Sequence, residues 1–465
     1  MPEVDALRSS AARRVAVYGS GPLLALAATM AIDSGERQSL SLAVNGIQHQ
    51  FHVSDTAIGF LPFAMALIGV IGSPPFGVLA DRARRTLLLA GGVVAWTVCM
   101  GLDALAGSYL MLFLFRLGVG AMEANSPAAI SLISDYYPAP ERAGKMGLYQ
   151  AGALVGALVG LVVGGIVVGI GGWRWAFVMW IPLGAGVAIL VACQPDPVRG
   201  CQDHTWEAAV DATASVAVPS PAAPLPPPRR QATCDYATAT TRQVMRELLA
   251  ARSMWYGVMA LTISQLLLTG LQFWAVPYFE RVDHLHAAAA GAVSALLGIG
   301  AVAGILGGGF IADRYLARGV LNARVYVVAF GSIAASLVLV PAFATTHLWL
   351  TAPLLLAGGA FLTLPIAPAE ALVTDVIVAD LRGRAAAVRS IVRSLSSAGP
   401  LVVGVMSTAF ISHLAMDKAD GLRWALVVLS PVYAVGGLIM LLAARSYPSD
   451  VAFVVSEARR AGEGG

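Results

Sequence analysis

The chain has 465 residues, 57% of them hydrophobic and 12% charged, with 30 Lys and Arg against 27 Asp and Glu and a net charge of +3. A charged share about half that of a soluble globular domain excludes an ordinary soluble enzyme, and the basic residues form no basic domain that would hold nucleic acid. About 265 apolar residues, at about 20 per membrane helix, suffice for about a dozen spans.

In chain order, Arg8, Arg13 and Arg14 precede a first apolar run with no small-residue cleavage site, which reads as a retained helix. Apolar runs bounded by charge, Gly, Pro and polar turns predict helices near 16–48, 56–80, 86–106, 109–134, 143–171 and 174–193. Six more follow near 253–281, 287–312, 323–344, 347–373, 384–412 and 422–444. Residues 194–246 hold Pro219, Pro221, Pro224 and Pro226 to Pro228 among small and polar residues, and read as a flexible linker. The expected fold is an all-α membrane protein of twelve transmembrane helices. It divides into an N-terminal six-helix half (1–193), the linker (194–246), a C-terminal half (247–445) and a tail (446–465).

Orientation follows from the Lys and Arg at the span ends. With the N-terminus inside, 24 of the 30 fall on inner loops and tails. Outer loops keep Arg174, Arg281, Lys418 and Arg423, while Arg37 and Arg116 lie within spans. Both termini are therefore expected in the cytoplasm. The halves also resemble each other, as a duplicated unit would. Gly77 to Arg82 matches Gly309 to Arg314, 232 residues on; Ser134-Asp135 matches Thr374-Asp375, at an offset of 240; Arg174-Trp175-Ala176 matches Arg423-Trp424-Ala425, at 249.

Two six-helix halves, a linker and the loop Gly77-Val-Leu-Ala-Asp81-Arg82-Ala-Arg84-Arg85-Thr86 together resemble the major facilitator superfamily over nearly the whole chain. The resemblance implies that this loop braces the second helix against the eleventh and gates the cytoplasmic side. Gly77, Asp81, Arg82 and Arg85 then have a conformational role; the plainer alternative is a basic inner turn that sets topology. Glu36-Arg37, Ile47-Gln48, Phe51, Val53-Ser54-Asp55, Gly59, Pro75-Phe76-Gly77 and the segment Arg116 to Pro127 are similar to Spinster-type transporters. So are Thr269-Gly270 and Phe273-Trp274-Ala275. That resemblance implies a sphingolipid-like or lysophospholipid-like substrate. The chain departs from the family in carrying Glu36 where an aspartate is usual, and Met122 disturbs the glycine spacing of the fourth helix.

Charges inside a membrane are costly and normally face a bundle interior, where they mark a pathway or relay. Asp33, Glu36 and Arg37 are three and four apart on the first helix, and Arg116 and Glu123, seven apart, share a face of the fourth. The superfamily fold lines its cavity with both helices, so either Glu36 or Asp33 is expected to pair with Arg116. Glu36 and Glu123 are the expected protonatable pair, with Asp33 a further acid and Arg37 and Arg116 tuning them. The opposing reading is a static set of ion pairs that fixes helix packing. In the second half, Gln272, Trp274 and Glu370 are candidate cavity residues, Glu370 alternatively anchoring through water the carbonyls freed by Pro365 and Pro368, and Arg389 and Arg393 snorkel to the inner interface.

Gly152, Gly156, Gly160 and Gly164 make a bare stripe on the fifth helix, read either as packing at a rocking interface or as a ligand groove. Six of the seven histidines fall on the outer side, His49 and His52 in one half matching His284 and His286 in the other. Cys99, Cys193, Cys201 and Cys234 show no metal-ligand spacing, so no metal and no disulfide framework is expected. Nor is there a phosphate-binding loop of a nucleotide-driven pump. The expectation is not an enzyme and needs no cofactor. It is an alternating-access secondary transporter of the bacterial inner or plasma membrane, a functional monomer coupled to protons. Its partners are an amphiphilic small molecule, protons and membrane lipids, with no nucleic acid. The alternatives are a drug or organic-anion porter of the same superfamily, and a non-transporting receptor.

Overall fold

The computed structural model describes residues 19–122, 126–137, 139–197, 226–228, 241–345, 347–378, 381, 385, 388–389 and 392–463. Its regular elements are helices: α1 (Ser20–Phe51), α2 (Asp55–Arg82), α3 (Arg85–Ala104), α4 (Tyr109–Met122), α5 (Ser126–Tyr136), α6 (Ala139–Gly171), α7 (Trp175–Val178) and α8 (Trp180–Ala192). After the linker region come α9 (Thr241–Ala250), α10 (Arg252–Val282), α11 (Ala287–Ala317), α12 (Ala323–Ala344), α13 (Leu348–Thr363), α14 (Ile366–Asp375), α15 (Gly399–His413), α16 (Lys418–Leu429), α17 (Val432–Ala443) and α18 (Tyr447–Glu463). Among the described residues, ten helical stretches are long and apolar enough to cross a membrane, against the twelve expected. The expected first span is α1, 32 residues long but carrying Asp33, Glu36 and Arg37. The expected fourth is described as α4 and α5, and residues 123–125 between them lie outside the described residues. Most of the expected linker lies outside the described residues, and the expected tail carries α18.

The chain forms two compact units, residues 1–53 with 64–218, and residues 54–63 with 219–465. In the first unit α6 lies against α1 through the glycine stripe. A Cβ at Gly152, Gly156 or Gly160 would stand 2.3, 1.9 or 2.4 Å from the carbonyl oxygens of Ala27, Ala31 and Gly35. The first three glycines are therefore filled by backbone of the same unit and Gly164 by the Leu42 side chain, which favours packing over a ligand groove. The second unit repeats the device with α11 against α13. A Cβ at Gly300, Gly304 or Gly308 would stand 2.0 Å from the carbonyl oxygens of Leu356, Ala360 and Leu364 respectively.

Two further devices recur. In the first unit Arg174 donates from Nε and Nη2 to the carbonyls of Ala104 and Ala106, at 3.0 and 3.1 Å, closing the C-terminal end of α3. In the second, Arg423 donates to the carbonyls of Phe343, at 3.1 Å, and Ala344 at the end of α12. Cations suit helix C-termini because they meet unsatisfied carbonyls and the negative end of the dipole. The matched Arg-Trp-Ala motifs thus do the same work in both units. His52 and His284, from the matched histidine pairs, both take left-handed backbone, with φ of 53° and 54°. They end α1 and follow α10, so part of their place is conformational.

Candidate functional site

Three ionisable side chains converge inside the first unit. Glu36 lies midway along α1, Arg116 midway along α4, and Asp103 in the last turn of α3. All three are at 0% exposure. Arg116 donates from Nη1 to Glu36 Oε1, and its Nε lies 3.1 Å from Asp103 Oδ2. The guanidinium carbon stands 4.5 Å from the centroid of the Phe177 ring, a negative face for a cation.

Local sequence explains how a charged side chain reaches this depth. Gly35 lets Trp180 press against α1, since a Cβ there would come within 2.2 Å of the indole. Trp180 in turn donates from Nε1 to Ser39 Oγ at 2.6 Å. The indole contacts on either side of Glu36 fix that stretch of α1, and the neighbouring carboxyl meets Arg116. Asp103 is the member that sequence reasoning missed. The signal was present, because it is an acid within the apolar run 86–106, but its place near the end of the run reads as a boundary residue.

The other expected residues of this half are placed apart. Asp33 pairs with Arg37 at 3.4 Å, with side chains 30% and 52% exposed. Asp33 also lines a cavity of about 80 Å³ with Thr29, Trp96, Met122 and Tyr149. Glu123 lies outside the described residues, as do the surroundings of Gly77 and the side chains of Asp81 and Arg82. Arg85 of the same loop is buried and hydrogen-bonded to Asp135, to Ser131 Oγ at 2.9 Å and to the Pro197 carbonyl at 2.9 Å. In the second unit Arg324 pairs likewise with Asp375, whose Oδ2 also accepts from the Tyr447 hydroxyl at 2.6 Å.

The second unit has its own ionic set away from these clasps. Glu370 on α14 accepts from Arg389 at 2.6 Å and from Arg393 at 3.1 Å. Gln272 is half-buried. Trp274 is at 0% exposure, and its Nε1 donates to the Pro400 carbonyl at 2.8 Å, so its polar edge is engaged in packing. Arg281, expected as an outer-side charge, lies half-buried in the last turn of α10 and donates from Nη1 and Nη2 to Asp55 at 3.1 Å each. Ser407 Oγ adds a third hydrogen bond to Asp55, at 2.6 Å. Among the described residues no cluster of His, Cys, Asp and Glu forms a metal site.

The family model described as Major Facilitator Superfamily matches residues 25–400. The chain belongs to the major facilitator superfamily. That is a superfamily of membrane transporters, not enzymes, and this member is an integral membrane protein that resembles Spinster proteins. It is 24% identical to protein spinster homolog 3 of Danio rerio over 438 residues, covering 88% of this chain and 81% of the relative. It is 28% identical to a probable L-galactonate transporter of Escherichia coli over 155 residues, 33% of this chain and 34% of that one. Matches to several curated relatives thus span about a third of their length. In fold, this superfamily member is similar to a bacterial homologue of the human lysosomal transporter Spinster in an inward-facing, unoccupied conformation. The TM-score is 0.75 at 24% identity, covering 93% of this chain and 98% of that structure. A D-xylose-proton symporter also matches, at a TM-score of 0.65 and 16% identity, over 90% and 96%.

Proposed function

We propose that this chain is a secondary transporter working by alternating access, coupled to protons, that moves an amphiphilic or lipid-like small molecule such as a lysophospholipid or sphingolipid. The observation that carries the reading is the ion pair of Glu36 with Arg116 at zero exposure. A charge pair so placed inside an apolar bundle is costly to bury, and such charges in membrane proteins mark substrate or proton pathways. Glu36 and Glu123 act as the protonatable acids with Asp33 a further acid, and Arg37 and Arg116 tune them. The loop of Gly77, Asp81, Arg82 and Arg85 serves as the cytoplasmic gate, and both termini lie in the cytoplasm of a cell with this protein in its inner or plasma membrane. The amphiphile is supported by similarity to Spinster homologues and by the Asp33 cavity, where one carboxylate faces apolar walls that include Ile32, Leu89 and Trp96.

A second reading, an organic-anion porter, is favoured by the similarity to a probable L-galactonate transporter and by the two arginines on Glu370. Proteoliposomes under an imposed pH gradient separate the two. Gradient-driven uptake of lysophosphatidylethanolamine, lost in Glu36→Gln, supports the first reading; uptake of L-galactonate alone supports the second. Flux of either probe that ignores the gradient removes the proton.

A further inference from the structure

We propose that Asp103 is a proton-carrying residue of the transport cycle, sharing Arg116 with Glu36 so that the two carboxyls hold one proton between them. This rests on the proton-coupled reading above and moves part of its chemistry onto a residue that the family resemblance does not single out. Three observations carry it. Glu36 and Asp103 are both at 0% exposure, and among the described residues Arg116 is the one cation that either touches. Neither oxygen of Asp103 has a hydrogen-bond partner there, and its contact with Arg116 Nε, although 3.1 Å, is poorly directed. Finally, Asp103 is the penultimate residue of α3, at the helix end where the dipole disfavours an anion.

Two buried carboxylates against one guanidinium leave an uncompensated negative charge, which a low-dielectric interior resists until one carboxyl takes a proton. The well-made hydrogen bond belongs to Glu36, so Glu36 keeps the charge and Asp103 the proton. Asp103 meets Arg116 of α4, which also holds Glu36 of α1, with Cys99 one turn before it on α3; Arg174 lies just beyond, on the carbonyls of Ala104 and Ala106. The helices α7 and α8, also packed on α3, bring no titratable side chain to it. When the site is wetted, the proton passes from the Asp103 carboxyl to water and leaves a carboxylate that competes with Glu36 for Arg116. Uptake of a proton restores the neutral Glu36–Arg116 pair. Because the two acids share one cation, the loss belongs to the pair.

Infrared difference spectroscopy of the full chain in phosphatidylcholine and phosphatidylglycerol vesicles reads this directly. At neutral pH the wild type is expected to show the carbonyl stretch of a protonated carboxyl, lost in Asp103→Asn and kept in Asp103→Glu. In Glu36→Gln, Asp103 gains Arg116 to itself, so the midpoint of its band falls to at least tenfold higher proton concentration. An unchanged band in Asp103→Asn, or an unmoved midpoint in Glu36→Gln, overturns the proposal, and the second variant decides the matter if the first fails to fold. Uptake of lysophosphatidylethanolamine and of L-galactonate is measured in the same vesicles. Wild-type flux that ignores the pH gradient sinks the coupled reading and the cycle role of Asp103 with it. Gradient-driven flux that survives intact in Asp103→Asn overturns this proposal alone.

Discussion

The two units carry ionic sets of opposite composition. Among the described residues of the first, two acids share one arginine, with Glu36, Asp103 and Arg116 all at zero exposure. In the second, two arginines share one acid, and Glu370, Arg389 and Arg393 are 29%, 22% and 54% exposed. Around these sets the units agree: an arginine closes α3 and α12, an Arg–Asp clasp joins α3 to α5 and α12 to α14, and a glycine stripe seats α6 and α11. A duplicated fold keeps what every copy needs in order to pack. The units differ in the sign balance and burial of their ionic sets.

The comparison breaks most visibly at Arg116. Arg116→Met leaves two buried carboxyls without their cation and is expected to cost about 3–5 kcal/mol, read as a large fall in the thermal midpoint of the detergent-purified protein. Glu370→Gln, in the exposed set, is expected to cost less than about 1 kcal/mol. Equal losses would erase the distinction between the sets.

The glycine stripes come next. Gly156→Ala drives a methyl to within 1.9 Å of the Ala31 carbonyl and is expected to cost about 1–3 kcal/mol through forced separation of α1 and α6. Gly147→Ala on the same helix meets nothing within 4 Å and should be neutral or slightly stabilising. Matching yields and melting curves for the two variants would show that the stripe is not a contact surface.

The clasps should differ by burial. Arg85 is 3% exposed and Arg324 14%, so Arg85→Ala is expected to lower stability by about 1–3 kcal/mol and Arg324→Ala by less, in parallel melts.

The smallest effect is a pH dependence. Burial pushes the Tyr447 hydroxyl up to about 12, against the pull of Arg324. A group whose folded value is raised stabilises fully below its unfolded value, near 10, and loses that contribution as pH climbs through the folded one. Wild type should therefore lose more stability than Tyr447→Phe between about pH 10 and 12, and curves that run parallel there would detach Tyr447 from the clasp.

Much of this was legible in the chain. The stripe at 152, 156, 160 and 164, the charges at 36 and 116 and the matched Arg-Trp-Ala motifs are set by spacing and by the cost of placing polar groups in lipid. The pairing of Arg85 with Asp135 was not, because separate positions 50 residues apart carry no periodicity that joins them. Asp33 and Glu36 are three apart on one helix, yet one meets a cavity and the other Arg116. A helix face is broad, and only the neighbours that close over it decide which side chain is sealed in. Trp274 reads from sequence as a cavity aromatic, but its indole N–H is held by a carbonyl 126 residues away.

The seating of α1 on α6 has a mechanical meaning. Carbonyls of Ala27, Ala31 and Gly35 nest in successive glycines four residues apart, so α1 has axial detents like a key on its wards. A slide of one residue would drive those oxygens into side chains instead of gaps, and the next matching position lies four residues away, about 6 Å on an ideal helix. Glu36, next to the last of these notches, cannot creep along the bundle. Any movement of α1 in the unit therefore carries α6 with it.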